Sequence, residues 1–213
     1  MKIIKVDLIG DNSRAITESI AVLQKGGVIV FPTDTVYGLG ANACEWGAVE
    51  QVFKVKSRPT VKPMPIIARN IKWVRELAFV PPKLERSLSE IWPGATTVIL
   101  PKKRVIPNIV TAGQSTVGVR IPDLALTDNL LGKFGYPLTA TSANISGDEA
   151  TGDINKIIEI FQGKVWKPDL ILDAGVLPDS KPSTILDLST IKPKILRIGP
   201  SDPDQLMKIL GIQ

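Results

Sequence analysis

The chain has 213 residues, 44% hydrophobic and 22% charged, with 26 lysines and arginines against 21 acids, a formal net charge of +5. One cysteine, Cys44, and no histidine exclude an internal disulfide, a Cys/His zinc site and any Ser-His or Cys-His nucleophile. No apolar run approaches the roughly 20 residues of a membrane span, and MKIIKVDLIG has no h-region, so no membrane partner and a cytoplasmic location are expected.

Helical and strand patterns alternate along the chain, which predicts an α/β or mixed α+β fold in one domain over residues 1–213. Asn12 and Ser13 read as N-caps of a helix with Ile16, Ile20 and Leu23 on one face, ended by Gly26-Gly27. Val28 to Phe31 follows as a buried strand, and Gly38 and Gly40 beyond it read as tight turns. A second helix spans about Glu45 to Lys56 and stops at the proline-punctuated KSRPTVKP. Met64 to Ala68 reads as a strand, followed by helices around Ile71–Ala78 and Lys83–Trp92. Strands at Thr96–Leu100 and Thr116–Ile121 precede a helix capped by Asp123 and running through Phe134, then a strand at Pro137–Ala140. A helix over Ile154–Phe161 leads to strands at Leu170–Asp173, Thr184–Leu188 and Lys194–Ile198. The last helix, Pro203–Leu210, has Ser201 and Asp204 spaced as a capping-box variant.

Small, hydroxyl and basic residues gather where these elements end, which is where open α/β sheets place ligand sites. The loops are PTDTVYGLG, KSRPTVKP, STVGVR, TATSANISG and KPST, together with the arginine of ILRIGP. Alone, PTDT is readable as a turn in which Asp34 bonds nearby amides. By the same standard, Lys56, Arg58 and Lys62 are readable as a solvated helix terminus. Combined with Arg120 and Arg197 they make a cationic constellation suited to phosphate or carboxylate, which arginine binds bidentately. Thr35, Thr116, Thr141, Ser142, Ser183 and the amide of Asn144 can fix a small polar substrate or a ribose. Neither GxxxxGK[ST] nor a helix-opening GxGxxG occurs, which disfavours a P-loop or dinucleotide fold.

These motifs, in this order, resemble the YrdC family found in threonylcarbamoyl-AMP synthases. FPTDTVYGLG, KSRP, WPGATTVIL, STVGVRIPD, TSANISG, PSTILDL and ILRIGP carry the resemblance over nearly the whole chain. It implies a twisted mixed sheet with flanking helices around an open, basic, concave cavity. It also implies a nucleotidyltransferase that joins L-threonine, bicarbonate or CO2, and ATP into threonylcarbamoyl-AMP and pyrophosphate, for later transfer to tRNA by separate proteins. The family's signature falls on Lys56, Arg58, Ser142 and Asn144. Its threonine contacts fall on Thr35, Arg120 and Ser183, with the Thr141 hydroxyl beside them. Its nucleotide contacts fall on Arg58, Lys62, Thr116, Ser142 and Arg197, with Asn144 close by. Mg²⁺ is expected to come with ATP, with no metal site made from protein side chains alone. Some members carry a histidine where this chain has Ile67, and some carry a C-terminal domain. Because the chain ends soon after ILRIGP, the short single-domain form is expected, with loops such as 146–153 serving as any lid.

Two other functions fit parts of the pattern. A basic RNA-binding module would use tRNA or rRNA as its partner, but aromatics for base stacking are only 5%. Carbamoyl transfer, known for YrdC-like domains in hydrogenase maturation, accompanies zinc-finger and acylphosphatase regions that have no counterpart here.

Overall fold

The computed structural model describes residues 1–212. In chain order its strands are β1 (Lys2–Lys5), β2 (Ile29–Phe31), β3 (Gly38–Gly40), β4 (Ile66–Ile67), β5 (Thr96–Pro101), β6 (Thr116–Arg120), β7 (Leu138–Thr139), β8 (Thr141–Ser142), β9 (Leu170–Asp173), β10 (Thr184–Asp187) and β11 (Lys194–Arg197). The helices are α1 (Ser13–Leu23), α2 (Trp46–Val55), α3 (Ile71–Leu77), α4 (Glu85–Ile91), α5 (Asn108–Thr111), α6 (Ala125–Phe134), α7 (Ile154–Gln162) and α8 (Pro203–Ile209). Among the described residues no helix is long and apolar enough to cross a membrane.

The strands divide into two mixed sheets, ordered β1-β9-β2-β3-β8 and β11-β10-β5-β6-β4-β7. A single residue, Ala140, separates β7 in the second sheet from β8 in the first. Thr139 stitches the crossing: its N–H donates to the Ala41 carbonyl, and its Oγ1 accepts from the Ala41 N–H, both at 3.0 Å. The sheets are thereby held together along one seam.

Gly38 and Gly40 do not form tight turns; they are the two ends of β3. The Phe31 ring on neighbouring β2 lies across them: a Cβ on Gly38 would sit 2.8 Å from Phe31 Cζ, and one on Gly40 2.6 Å from Phe31 Cε1 and 2.9 Å from the Thr139 carbonyl oxygen. Glycine is therefore required by close approach rather than by backbone angle. Gly40→Ala is expected to cost about 1–3 kcal/mol of stability through overpacking, measured as a lower urea midpoint at unchanged slope.

Several predicted ends shift, each for a local reason. Asn12 makes no cap bond to α1; its amide instead bonds the Asp7 and Gly10 carbonyls and closes the preceding loop. Asp123 does not cap α6, which is preceded by Leu124. The cap of α8 is Asp202, whose carboxylate accepts from the Gln205 N–H at 3.0 Å, and not the Ser201/Asp204 pair. The Met64–Ala68 strand shortens to β4, whose register fixes the site.

Candidate active site

Strand register in the second sheet builds one wall. Arg197 pairs with Ile185, and Ile185 pairs with Thr97. Thr97 is one step from Val98, whose partner Val119 is one step from Arg120, and Arg120 pairs with Ile67. Cross-strand partners project to the same face of a sheet. Arg197, Ile185, Thr97, Arg120 and Ile67 therefore form a row, and all five line one cavity of about 230 Å³. The first sheet supplies the facing wall, with Thr33, Thr35 and Tyr37 from the β2–β3 segment and Thr141 and Ser142 from β8; Arg58 and Ser183 are also in the lining. Among the described lining residues there are three arginines and no acid.

Arg120 is the most constrained of the three. Its Nη2 donates to Asp34 Oδ1 at 2.6 Å, Nη1 to Thr35 Oγ1 at 2.8 Å, and Nε to the Gly94 carbonyl at 2.9 Å. A guanidinium has five N–H donors, so two remain, one on each terminal nitrogen, the arrangement that grips a carboxylate bidentately. Burial pulls the Arg120 guanidinium below its ordinary pKa, and Asp34 opposes that pull. The turn role considered for Asp34 belongs instead to Thr33, whose Oγ1 accepts from the Thr35 N–H and donates to the Val36 carbonyl.

Arg197 has a different environment. Its Nε and Nη2 donate to the Ser183 carbonyl at 3.0 and 2.8 Å, and Ser183 Oγ lies 2.8 Å from Thr97 Oγ1. Burial first, then the nearby positive Arg120, lowers its pKa. An anion between Arg120 and Arg197 would relieve that repulsion. Of the described salt bridges only Arg120–Asp34 involves a cavity arginine.

The three cations of KSRPTVKP separate. Lys56, only 2% exposed, turns under the loop and donates to the Ser142 carbonyl (2.6 Å), the Asn144 carbonyl (3.1 Å) and Asn144 Oδ1 (2.7 Å). Arg58 lines the cavity, bonding only the carbonyls of Lys62 and Pro63 in its own loop. Lys62 is exposed. Asn144, buried, orders the loop: Oδ1 accepts from Ser142 Oγ at 2.6 Å and Nδ2 donates to the Asp148 carbonyl at 2.6 Å.

Of the residues singled out from sequence, Thr35, Arg58, Arg120, Thr141, Ser142, Ser183 and Arg197 meet at the cavity. Lys56 and Asn144 lie beneath it as supports, and Lys62 and Thr116 are outside the lining. Thr116 shares a face of β6 with Arg120 four residues away, about 13 Å along a strand. Sequence reading missed Thr33, Tyr37 and Thr97. The available signal for Thr97 was the Thr-Thr pair that opens an otherwise apolar strand.

The fold and the site define an α/β protein with an arginine-rich, hydroxyl-lined pocket between two sheets, suited to a small anionic ligand with polar groups. The chain belongs to the Sua5/YciO/YrdC family, whose model, described as telomere recombination, matches residues 21–199. Threonylcarbamoyl-AMP synthase from Pyrococcus abyssi (strain GE5 / Orsay) is 35% identical over 190 residues, 89% of this chain and 55% of that protein. A protein of the same name from Coxiella burnetii (strain RSA 493) is 32% identical over 189 residues, 88% of this chain and 99% of its own length. The crystal structure of P. abyssi Sua5 complexed with L-threonine matches with a TM-score of 0.92 at 33% identity, over 99% of this chain and 61% of that one. The chain thus spans less than two thirds of its P. abyssi relatives, and its mixed α/β fold is theirs.

Proposed function

We propose that this chain binds L-threonine in the cavity and, with ATP and bicarbonate or CO2, forms L-threonylcarbamoyl-AMP and pyrophosphate. The observation that carries the reading is the convergence of Arg58, Arg120 and Arg197 on a hydroxyl-lined cavity whose described lining contains no acid. Its volume, about 230 Å³, falls below the roughly 300–1,000 Å³ of drug-sized sites. It suits an amino acid, with the nucleotide extending outward past Arg58 toward Lys62 and Thr116. The names of the relatives and the threonine in the P. abyssi Sua5 structure support the same substrate.

In this reading the two free donors of Arg120 hold the threonine carboxylate, and Thr35, Thr141 and Ser183 surround its polar groups. The amine adds to CO2 and loses a proton, giving a carbamate; a carbamate oxygen attacks the α-phosphorus of ATP, and the bond to pyrophosphate breaks. Mg²⁺ enters on the triphosphate as part of the substrate. Arg58 and Arg197 stabilise the charge that develops on the phosphoryl oxygens, so catalysis rests on positioning and electrostatics. The product passes to threonylcarbamoyl-transfer proteins acting on tRNA, in the cytoplasm, with tRNA itself at most a weak partner of this chain.

The test is pyrophosphate release from ATP in the presence of threonine, bicarbonate and Mg²⁺. Release that depends on threonine supports the proposal; its absence, alongside tight RNA binding, overturns it. Arg58→Ala is expected to lower that release at least tenfold. Its stability should change by no more than about 1 kcal/mol, the net worth of a hydrogen bond, because its guanidinium bonds only its own loop. A melting curve recorded beside the assay checks both halves.

A further inference from the structure

Tyr37 is fully buried yet lines the cavity, and its polar atoms leave its own loop. Its hydroxyl donates to the Gly175 carbonyl at 2.7 Å and accepts from the Ala174 N–H at 3.0 Å, both in the segment joining β9 to β10. Its own carbonyl accepts from the Ala143 N–H at 2.9 Å, inside TSANISG. The stretch between TSANISG and α7 also meets the β9–β10 segment: the Leu177 N–H donates to the Gly152 carbonyl at 2.9 Å, and Asp153 bridges Val176. The β9–β10 segment ends at Ser183, and TSANISG carries Thr141 and Ser142. Tyr37 therefore joins its own loop to the β9–β10 segment through its side chain and to TSANISG through its backbone carbonyl.

We infer that Tyr37 is a positioning residue of the site, its hydroxyl locking the segment that leads to Ser183 against the PTDTVYG loop so that threonine meets a preformed pocket. Removing the hydroxyl leaves the partly buried Ala174 N–H and Gly175 carbonyl without their side-chain partner, and such groups strongly favour a partner, water included. The freed segment then leaves Ser183 held only from the far side, by Arg197 and Thr97, and substrate capture weakens by the fraction of time the pocket is unformed. Burial pushes the phenol up to about 12, so the hydroxyl keeps its proton and its role as donor at any working pH. This inference rests on the threonine reading for its substrate, but its effect on loop order does not.

Tyr37→Phe keeps the ring and its packing and removes only the oxygen. Amide exchange in residues 174–183 of the unliganded protein is expected to accelerate at least tenfold, while exchange in β2 and β9 stays unchanged. In the pyrophosphate assay, KM for threonine should rise about tenfold and kcat stay within about twofold. A destabilising but non-positioning loss would lower the melting temperature and leave KM untouched well below it. Unchanged exchange at 174–183, or faster exchange with unchanged KM, overturns the inference. If the wild type releases no pyrophosphate, the synthase reading fails, and exchange alone decides whether Tyr37 orders the loops. Should Tyr37→Phe not fold, 3-fluorotyrosine in a Tyr136→Phe background labels Tyr37 alone, since the chain has two tyrosines. Its fluorine resonance in the unliganded protein must then be a single line displaced from that of the urea-unfolded chain; several lines, or a line at the unfolded position, contradict the inference.

Discussion

Arg120→Ala is expected to abolish threonine-dependent pyrophosphate release and to destabilise the fold by about 3–5 kcal/mol, the usual range for breaking a buried ion pair from one side. The side chains of Arg120 and Asp34 are 8% and 15% exposed, so removing the guanidinium leaves a carboxylate with little water to solvate it. The Gly94 carbonyl and Thr35 Oγ1 lose their donor as well. A second substitution, Asp34→Ala, separates the two effects: the double variant should regain about 1–3 kcal/mol, because the stranded charge is gone, and regain no activity. Arg120→Lys should also be inactive, since one ammonium cannot reach Asp34, Thr35, Gly94 and a substrate carboxylate together. Urea unfolding of the four proteins beside the assay reads both outcomes.

Lys56→Met should be the second most damaging change, at about 2–4 kcal/mol, because two buried acceptors on Asn144 and the partly buried Ser142 carbonyl lose their donor together. Activity should fall with it, since Ser142 faces the cavity. Burial, and then the nearby Arg58, push the Lys56 pKa down to about 7 from an ordinary 10.5, with Asp148 pulling the other way. Between those values the unfolded chain holds a proton that the native chain has released, leaving an amine with two N–H donors among its three acceptors, so the group's contribution to stability increases with pH across that window and is lost as pH falls through about 7. The stability difference between wild type and Lys56→Met should therefore widen in favour of wild type from pH 7 to pH 10. A flat or narrowing difference contradicts the assigned environment of the lysine.

What could be read from the sequence differs between fold and site. Strands β9, β10 and β11 stand out as β-branched or leucine-rich runs between turn residues, and α1, α2 and α7 as amphipathic repeats, so most elements fall within a residue or two of expectation. β3 was hidden because its Gly-Leu-Gly composition answers to the Phe31 ring on the next strand, a tertiary cause with no local trace. The division into two sheets was hidden too, because it depends on one residue, Ala140, at which pairing partners change.

The chemistry of the site was legible residue by residue, but its geometry was not. Arg197, Thr97, Arg120 and Ile67 form one row only through the registers of five strands far apart in the chain. The motif KSRPTVKP displays three equivalent cations, yet a helix end at Lys56 turns one inward to brace TSANISG, leaves Arg58 at the cavity and exposes Lys62. Asp34 likewise gives no local sign that its partner is an arginine 86 residues on.

The proposed reaction is tested most directly by supplying ¹³C-bicarbonate with threonine, ATP and Mg²⁺ and weighing the products. The synthase reading requires one product containing AMP, threonine and the labelled carbon, in equal amount with the pyrophosphate released. Pyrophosphate released without ¹³C in a threonine- and AMP-containing product, or at the same rate when threonine is omitted, would contradict it.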